Sequence, residues 1–161
     1  MTYSLRYESP LGAIAVSADD EGVTELGFVG RDYFAPSSGD CCPALLEARR
    51  WLDIYFSGKR PDFTPPLHLT GTPFRMDVWR LLLDVPYGET TTYGALAKAV
   101  AKRRGVSRMA AQAVGGAVGH NPVAIIVPCH RVIGGDGRLV GYASGLDKKT
   151  WLLALEGANF R

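Results

Sequence analysis

Residues 92–122, TYGALAKAVAKRRGVSRMAAQAVGGAVGHNP, decide how the second half of this chain folds. Thr92 can cap a helix, and residues 93–101 set apolar side chains at helical spacing. Residues 102–106 make a basic turn around Gly105. Ser107 then caps a second helix over residues 108–119, which ends before Asn121-Pro122. Two short helices joined by a glycine-containing turn form a helix-turn-helix. The second helix is nearly bare, with Ala110, Ala111, Ala113, Gly115, Gly116 and Ala117. Each interior glycine costs about 1 kcal/mol against alanine. Such a cost fits either tight helix packing or a helix thin enough to enter a narrow groove.

Working towards the N-terminus, Thr72-Pro73 opens a helix carrying Phe74, Val78, Trp79, Leu81, Leu82 and Leu83, which ends before Pro86-Tyr87-Gly88. Residues 59–66, KRPDFTPP, hold three prolines and cannot be helix or central strand. A domain boundary is expected there, giving residues 1–66 and 67–161, with 67–71 as strand or connector. Residues 3–29 hold three short apolar runs separated by Pro10-Leu11-Gly12 and Asp19-Asp20-Glu21-Gly22, a three-stranded antiparallel meander. Residues 30–41 read as a loop. Residues 43–56 read as an amphipathic helix closed by Ser57-Gly58.

Towards the C-terminus, residues 123–127 are apolar and read as buried. Residues 132–140 read as a hairpin around a glycine-rich turn, and 141–145 as a flexible loop. Asp147 is expected to cap a last helix over 148–157 that turns Trp151, Leu152 and Leu155 to the core. The fold class is therefore α+β: a small sheet-and-helix domain, then a mostly helical one.

With 161 residues, 47% hydrophobic and 21% charged, the chain has the composition of a soluble globular protein. Residues 1–12 show no signal-peptide pattern, and no apolar run approaches the roughly 20 residues of a membrane span. Three cysteines, Cys41, Cys42 and Cys129, make no disulfide framework and no metal spacing with His68, His120 or His130. Cys41 and Cys42 read as incidental. Unpaired thiols suit a reducing, cytoplasmic setting. The net charge of +2 divides unevenly: residues 98–161 carry ten bases against three acids (+7), which leaves −5 for residues 1–97. A basic C-terminal half suggests an anionic partner, nucleic acid first.

Chemistry concentrates at Pro128-Cys129-His130-Arg131-Val132. A cysteine attacks only as thiolate, and a free thiol near pKa 8.5 is a few per cent ionised at neutral pH. The imidazole of His130 can take that proton, directly or through a water. Neighbouring side chains of a strand point to opposite faces, so the pair needs a bend, which Pro128 favours, or a bridging water.

Residues 121–132, NPVAIIVPCHRV, resemble the signature of the O6-alkylguanine-DNA alkyltransferases, the methylated-DNA–protein-cysteine methyltransferases. The likeness runs from about residue 72 to 156 and includes Pro86-Tyr87-Gly88-Glu89, Ala113-Val114-Gly115-Gly116-Ala117, Gly141-Tyr142 and Trp151-Leu152-Leu153. The resemblance implies a ribonuclease-H-like N-terminal domain and a winged helix-turn-helix C-terminal domain. It implies transfer of a methyl or other small alkyl group from O6 of guanine in double-stranded DNA, and as an open extension from O4 of thymine, to Cys129. Each chain would act once, as a monomer, without cofactor or metal, in the cytoplasm or on the nucleoid. His130 would ionise Cys129 through a water, Glu156 would orient His130, Asn121 would brace the turn, and Tyr93 would donate to N3 of the purine. The target nucleotide must leave the stack. The bare helix would enter the minor groove, with Thr92, Arg108, Gln112, Ala113, Gly115, Gly116 and Arg131 on DNA and Val140, Tyr142 and Ser144 lining the base pocket.

Two residues depart from the common pattern of that family. Gln112 stands where many members have an arginine that fills the gap left by the flipped base, and glutamine offers no charge and less stacking surface. Ser144 stands where glycine is common. Rival readings remain: a non-catalytic alkylated-base-binding protein of the same fold, a Cys-His hydrolase or acyltransferase, and a DNA-binding regulator. The last is disfavoured because so bare a helix reads few base edges.

Overall fold

A computed structural model of the chain describes residues 1–35 and 42–160. The architecture is α+β, and contacts divide it into two units. Residues 1–70 with 122–124 form the first unit; residues 71–121 with 125–161 form the second.

In the first unit β1 (Tyr3–Ser9), β2 (Gly12–Ala18) and β3 (Val23–Phe28) make an antiparallel meander in the order β1-β2-β3. Ser9 pairs with Gly12, so the first turn is two residues long, and a register shift at Ser17/Ala18 marks a bulge. Helix α1 (Pro43–Phe56) packs against all three strands. Its buried face repeats at helical spacing: Ala44, Leu45, Ala48, Trp51, Leu52 and Tyr55. On the sheet, Ile14, Val16, Ala18, Val23 and Leu26 are buried as well. The connector that follows α1 returns to the sheet, where Val23 bridges Leu67 and the His68 imidazole lies between Asp19 (2.6 Å) and Glu21 (3.0 Å). Residues 122–124 belong to this unit through Leu26, which bonds the Pro122 carbonyl and the Ala124 N–H (2.9 Å each). The loop expected over 30–41 is described as far as residue 35; its remainder, Cys41 included, lies outside the described residues.

In the second unit the Thr72 hydroxyl caps α2 (Pro73–Leu83) at the Arg75 N–H, with Pro73 in the first turn. Strand β4 (Thr91–Thr92) leads into α3 (Tyr93–Arg104), capped by the Thr92 hydroxyl at the Ala95 N–H (3.0 Å) and closed by Gly105 in the left-handed region. Helix α3 thus runs three residues past the expected Ala101. Helix α4 (Ala111–Gly119) begins three residues later than Ser107 predicts, with Ala110 at its cap and no side-chain capping bond. Packing overrides the local signal here: Val114, Ala117 and Val118 are buried, and the Trp79 indole N–H donates to the Ala117 carbonyl (2.8 Å).

The hairpin expected over 132–140 does not form. Val132–Ile133 is a two-residue strand, β5, parallel to β4, and residues 134–138 close a tight turn through Gly134 N–H to the Arg138 carbonyl (2.8 Å). No strand follows, because the Val140 carbonyl accepts side-chain donors instead of a ladder bond. Helix α5 (Leu146–Glu156) is capped by Gly145, and Asp147 sits inside its first turn. That register buries Lys149, Leu152, Leu153 and Glu156, while Trp151 and Leu155 are half-buried. Leu153 joins Ile133 and Ala158 in a small core beside Leu139 and Phe160. No described helix is long and apolar enough to cross a membrane.

Candidate active site

The chain reaches Cys129 through a constrained passage. Ile125 has φ +71°, in the left-handed region where a β-branched residue is strained by on the order of 1–3 kcal/mol. Complete burial of its side chain holds it there. Two residues later the Val127 carbonyl accepts both the Asn121 side-chain N–H (2.8 Å) and the Cys129 N–H (2.8 Å). Cys129–Arg131 then form one 3-10 turn, with Arg131 N–H on the Pro128 carbonyl (3.0 Å). At about three residues per turn successive side chains diverge by about 120°. The thiol and imidazole are therefore not thrown to opposite faces, and the bend expected at Pro128 is this turn.

Helix α5 packs on that turn and brings Glu156 to it. The Glu156 carboxylate is fully engaged: Oε2 meets His130 Nε2 (2.6 Å), and Oε1 accepts from Arg131 Nε (2.8 Å) and the Gly88 N–H (3.1 Å). Burial works to raise the Glu156 pKa, but the hydrogen bonds and charges of His130 and Arg131 outweigh it and hold the group at about 2. An ionised carboxylate only accepts, so His130 carries its proton on Nε2. In the neutral ring Nδ1 is then the basic nitrogen. Burial keeps His130 neutral by pushing its pKa down; Glu156 pulls it up, while Arg131 and Lys149 push it further down. Gly88 is needed at its position: it has φ +82°, and a Cβ there would lie 3.1 Å from the Glu156 carbonyl oxygen.

Burial also pushes the Cys129 thiol up, and the Asn121 side chain, the Lys149 charge and the N–H groups of Cys129 and His130 pull it back down. The resting group is a thiol with its thiolate partners already placed. Around it stand two phenols held protonated, Tyr93 and Tyr142, each raised by burial first and by Cys129 second. The Tyr93 hydroxyl donates to the Val140 carbonyl (3.1 Å), whereas the buried Tyr142 hydroxyl has no hydrogen-bond partner among the described residues.

Cys129, His130, Glu156, Asn121, Tyr93 and Tyr142 thus converge on one region of the second unit. Val140 and Ser144 lie on the same loop as Tyr142; Val140 is exposed and Ser144 half-buried. Gln112, Ala113 and Gly116 lie on the exposed face of α4, and Arg108 is exposed in the segment before it. Gly115 is half-buried, and a Cβ on it would touch the Tyr93 ring at 3.6 Å. Thr92 is the α3 cap. Arg131 departs from expectation. Instead of a surface DNA contact it is buried, bonding Glu156 and the Val85 carbonyl (2.7 Å), with its guanidinium over the Tyr87 ring. A guanidinium beside a buried carboxylate is the charge balance that burial demands. Ala97, Lys98, Lys102, Arg108, Met109 and Ala111 line a basic groove of about 440 Å³ between α3 and the segment entering α4.

Sequence reading missed Lys149. It is fully buried, and its ammonium donates to the carbonyls of Val132 (2.6 Å), Val140 (3.1 Å) and Gly141 (3.0 Å). The signal was present: Lys149 shares a helical stripe with Leu152, Leu153 and Glu156, at i+3, i+4 and i+7.

The 6-O-methylguanine DNA methyltransferase family matches in two parts, its ribonuclease-like domain over residues 1–69 and its DNA-binding domain over residues 73–158. A methylated-DNA–protein-cysteine methyltransferase of Methanosarcina acetivorans is 44% identical over 161 residues, with 98% of this chain and 99% of the relative covered. One from Mycolicibacterium paratuberculosis is 43% identical, covering 92% and 88%. Among solved structures, the Mycobacterium tuberculosis O6-methylguanine methyltransferase superposes with a TM-score of 0.82 at 40% identity, covering 98% of this chain and 93% of the other. The M. tuberculosis OGT in complex with DNA gives 0.80 at 41%, covering 94% and 91%.

Proposed function

Since the chain belongs to the methylated-DNA–protein-cysteine methyltransferase family, it is a DNA-binding enzyme of direct-reversal alkyl-transfer repair, and we propose that Cys129 is its acceptor. The substrate is duplex DNA carrying O6-alkylguanine, with the damaged nucleotide turned out of the stack into the pocket beside Cys129. The observation that supports this reading most is the buried Cys129–His130–Glu156 arrangement, in which the carboxylate fixes the tautomer that leaves Nδ1 basic.

The thiol proton passes through a water to His130 Nδ1, and the Glu156 anion stabilises the imidazolium so formed. The thiolate attacks the alkyl carbon in line. As the S–C bond forms, the C–O6 bond breaks and its electron pair returns to the purine. The Tyr93 hydroxyl, exchanged from the Val140 carbonyl to N3, stabilises that developing charge. Guanine regains at N1 the proton that the thiol gave up, and the enzyme keeps the alkyl group as a thioether. With no step that frees the thiol, each chain acts once and needs no cofactor.

Asn121 braces the turn through Val127. The bare, exposed face of α4 suits close approach to the minor groove, with Gln112 at the gap left by the base and Arg108 on phosphate. The Arg131 ion pair supports a role in holding Glu156 rather than DNA. The reading includes action as a monomer, and a free acceptor thiol suits a reducing compartment. The working division is residues 1–66 as the ribonuclease-H-like part and 67–161 as the part that binds DNA and accepts the alkyl group. Cys129→Ala tests the reading: it should bind an O6-methylguanine duplex about as tightly as the parent while transferring nothing. Equal loss of binding and transfer would contradict the assignment.

A further inference from the structure

We propose, resting on that reading, that Lys149 is a positioning residue for the transfer. Its ammonium fastens the loop bearing Tyr142 to the strand that follows Cys129, and keeps the Val140 carbonyl bonded while the Tyr93 hydroxyl turns to the purine. A lysine is almost never fully buried unless paired. This one is fully buried, yet its partners are carbonyls: Val132 from β5, and Val140 and Gly141 from the loop. An ammonium has three N–H donors, and three carbonyls take them. The group therefore ties together two segments that no strand ladder joins, since residues 138–140 form no hairpin with β5.

Val140 is the junction. Its carbonyl accepts from Tyr93 Oη and Lys149 Nζ at the same 3.1 Å. A carbonyl has two lone pairs, so both donors fit. When Tyr93 leaves for N3, the carbonyl keeps one donor and is not left unsatisfied. The exchange then costs little, and the loop stays in place while it happens. The uncompensated positive charge has a second effect. Burial lowers the Lys149 pKa to about 8, while Lys149 and Cys129 each favour the charged form of the other, so where Lys149 is protonated the residue that sets the loop also favours the thiolate. The other groups bearing on Cys129 are His130 on its own turn, Asn121 after α4, Tyr93 on α3 and Tyr142 on the loop, while Glu156 on α5 bonds His130.

Two measurements test this. In the first, the pH dependence of Cys129 alkylation by iodoacetamide is followed without DNA in the parent, Lys149→Met and Lys149→Gln. In the second, the single-turnover rate on a saturating O6-methylguanine duplex is followed beside duplex affinity. Lys149→Met should raise the thiol midpoint and slow transfer by about 100-fold, with affinity changed less than about threefold. Lys149→Gln keeps two N–H donors but no charge; it should show the same midpoint shift with a smaller rate loss, and it replaces the Met variant should that one not fold. A cooperatively folded variant with the parent's midpoint and transfer rate would overturn the proposal. Failure of the parent itself to transfer would defeat the functional reading instead, and the DNA-free titration would still decide the effect of Lys149 on Cys129.

Discussion

Glu156 concentrates the electrostatics of the site on one carboxylate, and its removal has a predictable signature. A group held at about 2 against an ordinary 4.5 contributes on the order of 3 kcal/mol. The sign follows from the depression: the contribution is complete above the unfolded value near 4.5 and is lost as pH falls towards 2. Glu156→Gln should therefore be less stable than the parent at neutral pH by about 3–5 kcal/mol, because Arg131 is left as an uncompensated buried charge. The gap should narrow between pH 4.5 and the acid limit, as chemical denaturation across pH would measure. Cys129 and His130 were legible in the sequence as adjacent thiol and imidazole, and Glu156 through the resemblance alone. Lys149 and the true place of Arg131 were not. Two adjacent lysines look alike until the helix register says which one faces inward, and the register depended on α5 starting at Leu146 under a glycine cap.

At the scale of elements, α4 separates packing from function. Its bare residues fall into two sets: Ala117 and Gly115 face neighbours, whereas a Cβ on Gly116 would meet nothing within 4 Å. Gly116→Ala should stabilise the free protein by about 0.5–1 kcal/mol yet weaken duplex binding, since the added methyl stands on the face assigned to the groove. Equal or tighter binding, read by titration of a fluorescent duplex, would remove α4 from the interface. Gln112→Arg should act oppositely, tightening duplex affinity and steepening its logarithmic salt dependence by about 0.9 for the one added charge. The existence and order of helices and strands could be read from period and punctuation. The start of α4 and the missing hairpin could not, since Ser107 is an adequate cap that packing leaves unused and the partner of Val132–Ile133 is Thr91–Thr92, some forty residues earlier.

For the whole molecule, the sequence reading and the structure agree on a sheet-and-helix first part and a helical second part, with the basic surplus in the second. What a linear reading could not anticipate is that residues 122–124, just before the cysteine turn, group with the first unit through Leu26. Alkylation of Cys129 places an extra carbon in a closed site and removes the thiol proton from its hydrogen bonds. The alkylated protein should melt below the free protein, as scanning calorimetry of the two forms would record; an equal or higher melting temperature would refute this. Everything proposed for this molecule rests on one buried thiol being consumed by one lesion. The mass of the Cys129 peptide after incubation with a stoichiometric O6-methylguanine duplex reads that event itself. The expected outcome is one methyl per chain on Cys129, with guanine restored in the DNA and no second turnover when duplex is in excess. An unmodified Cys129 peptide, or a methyl carried on any other residue, would contradict it.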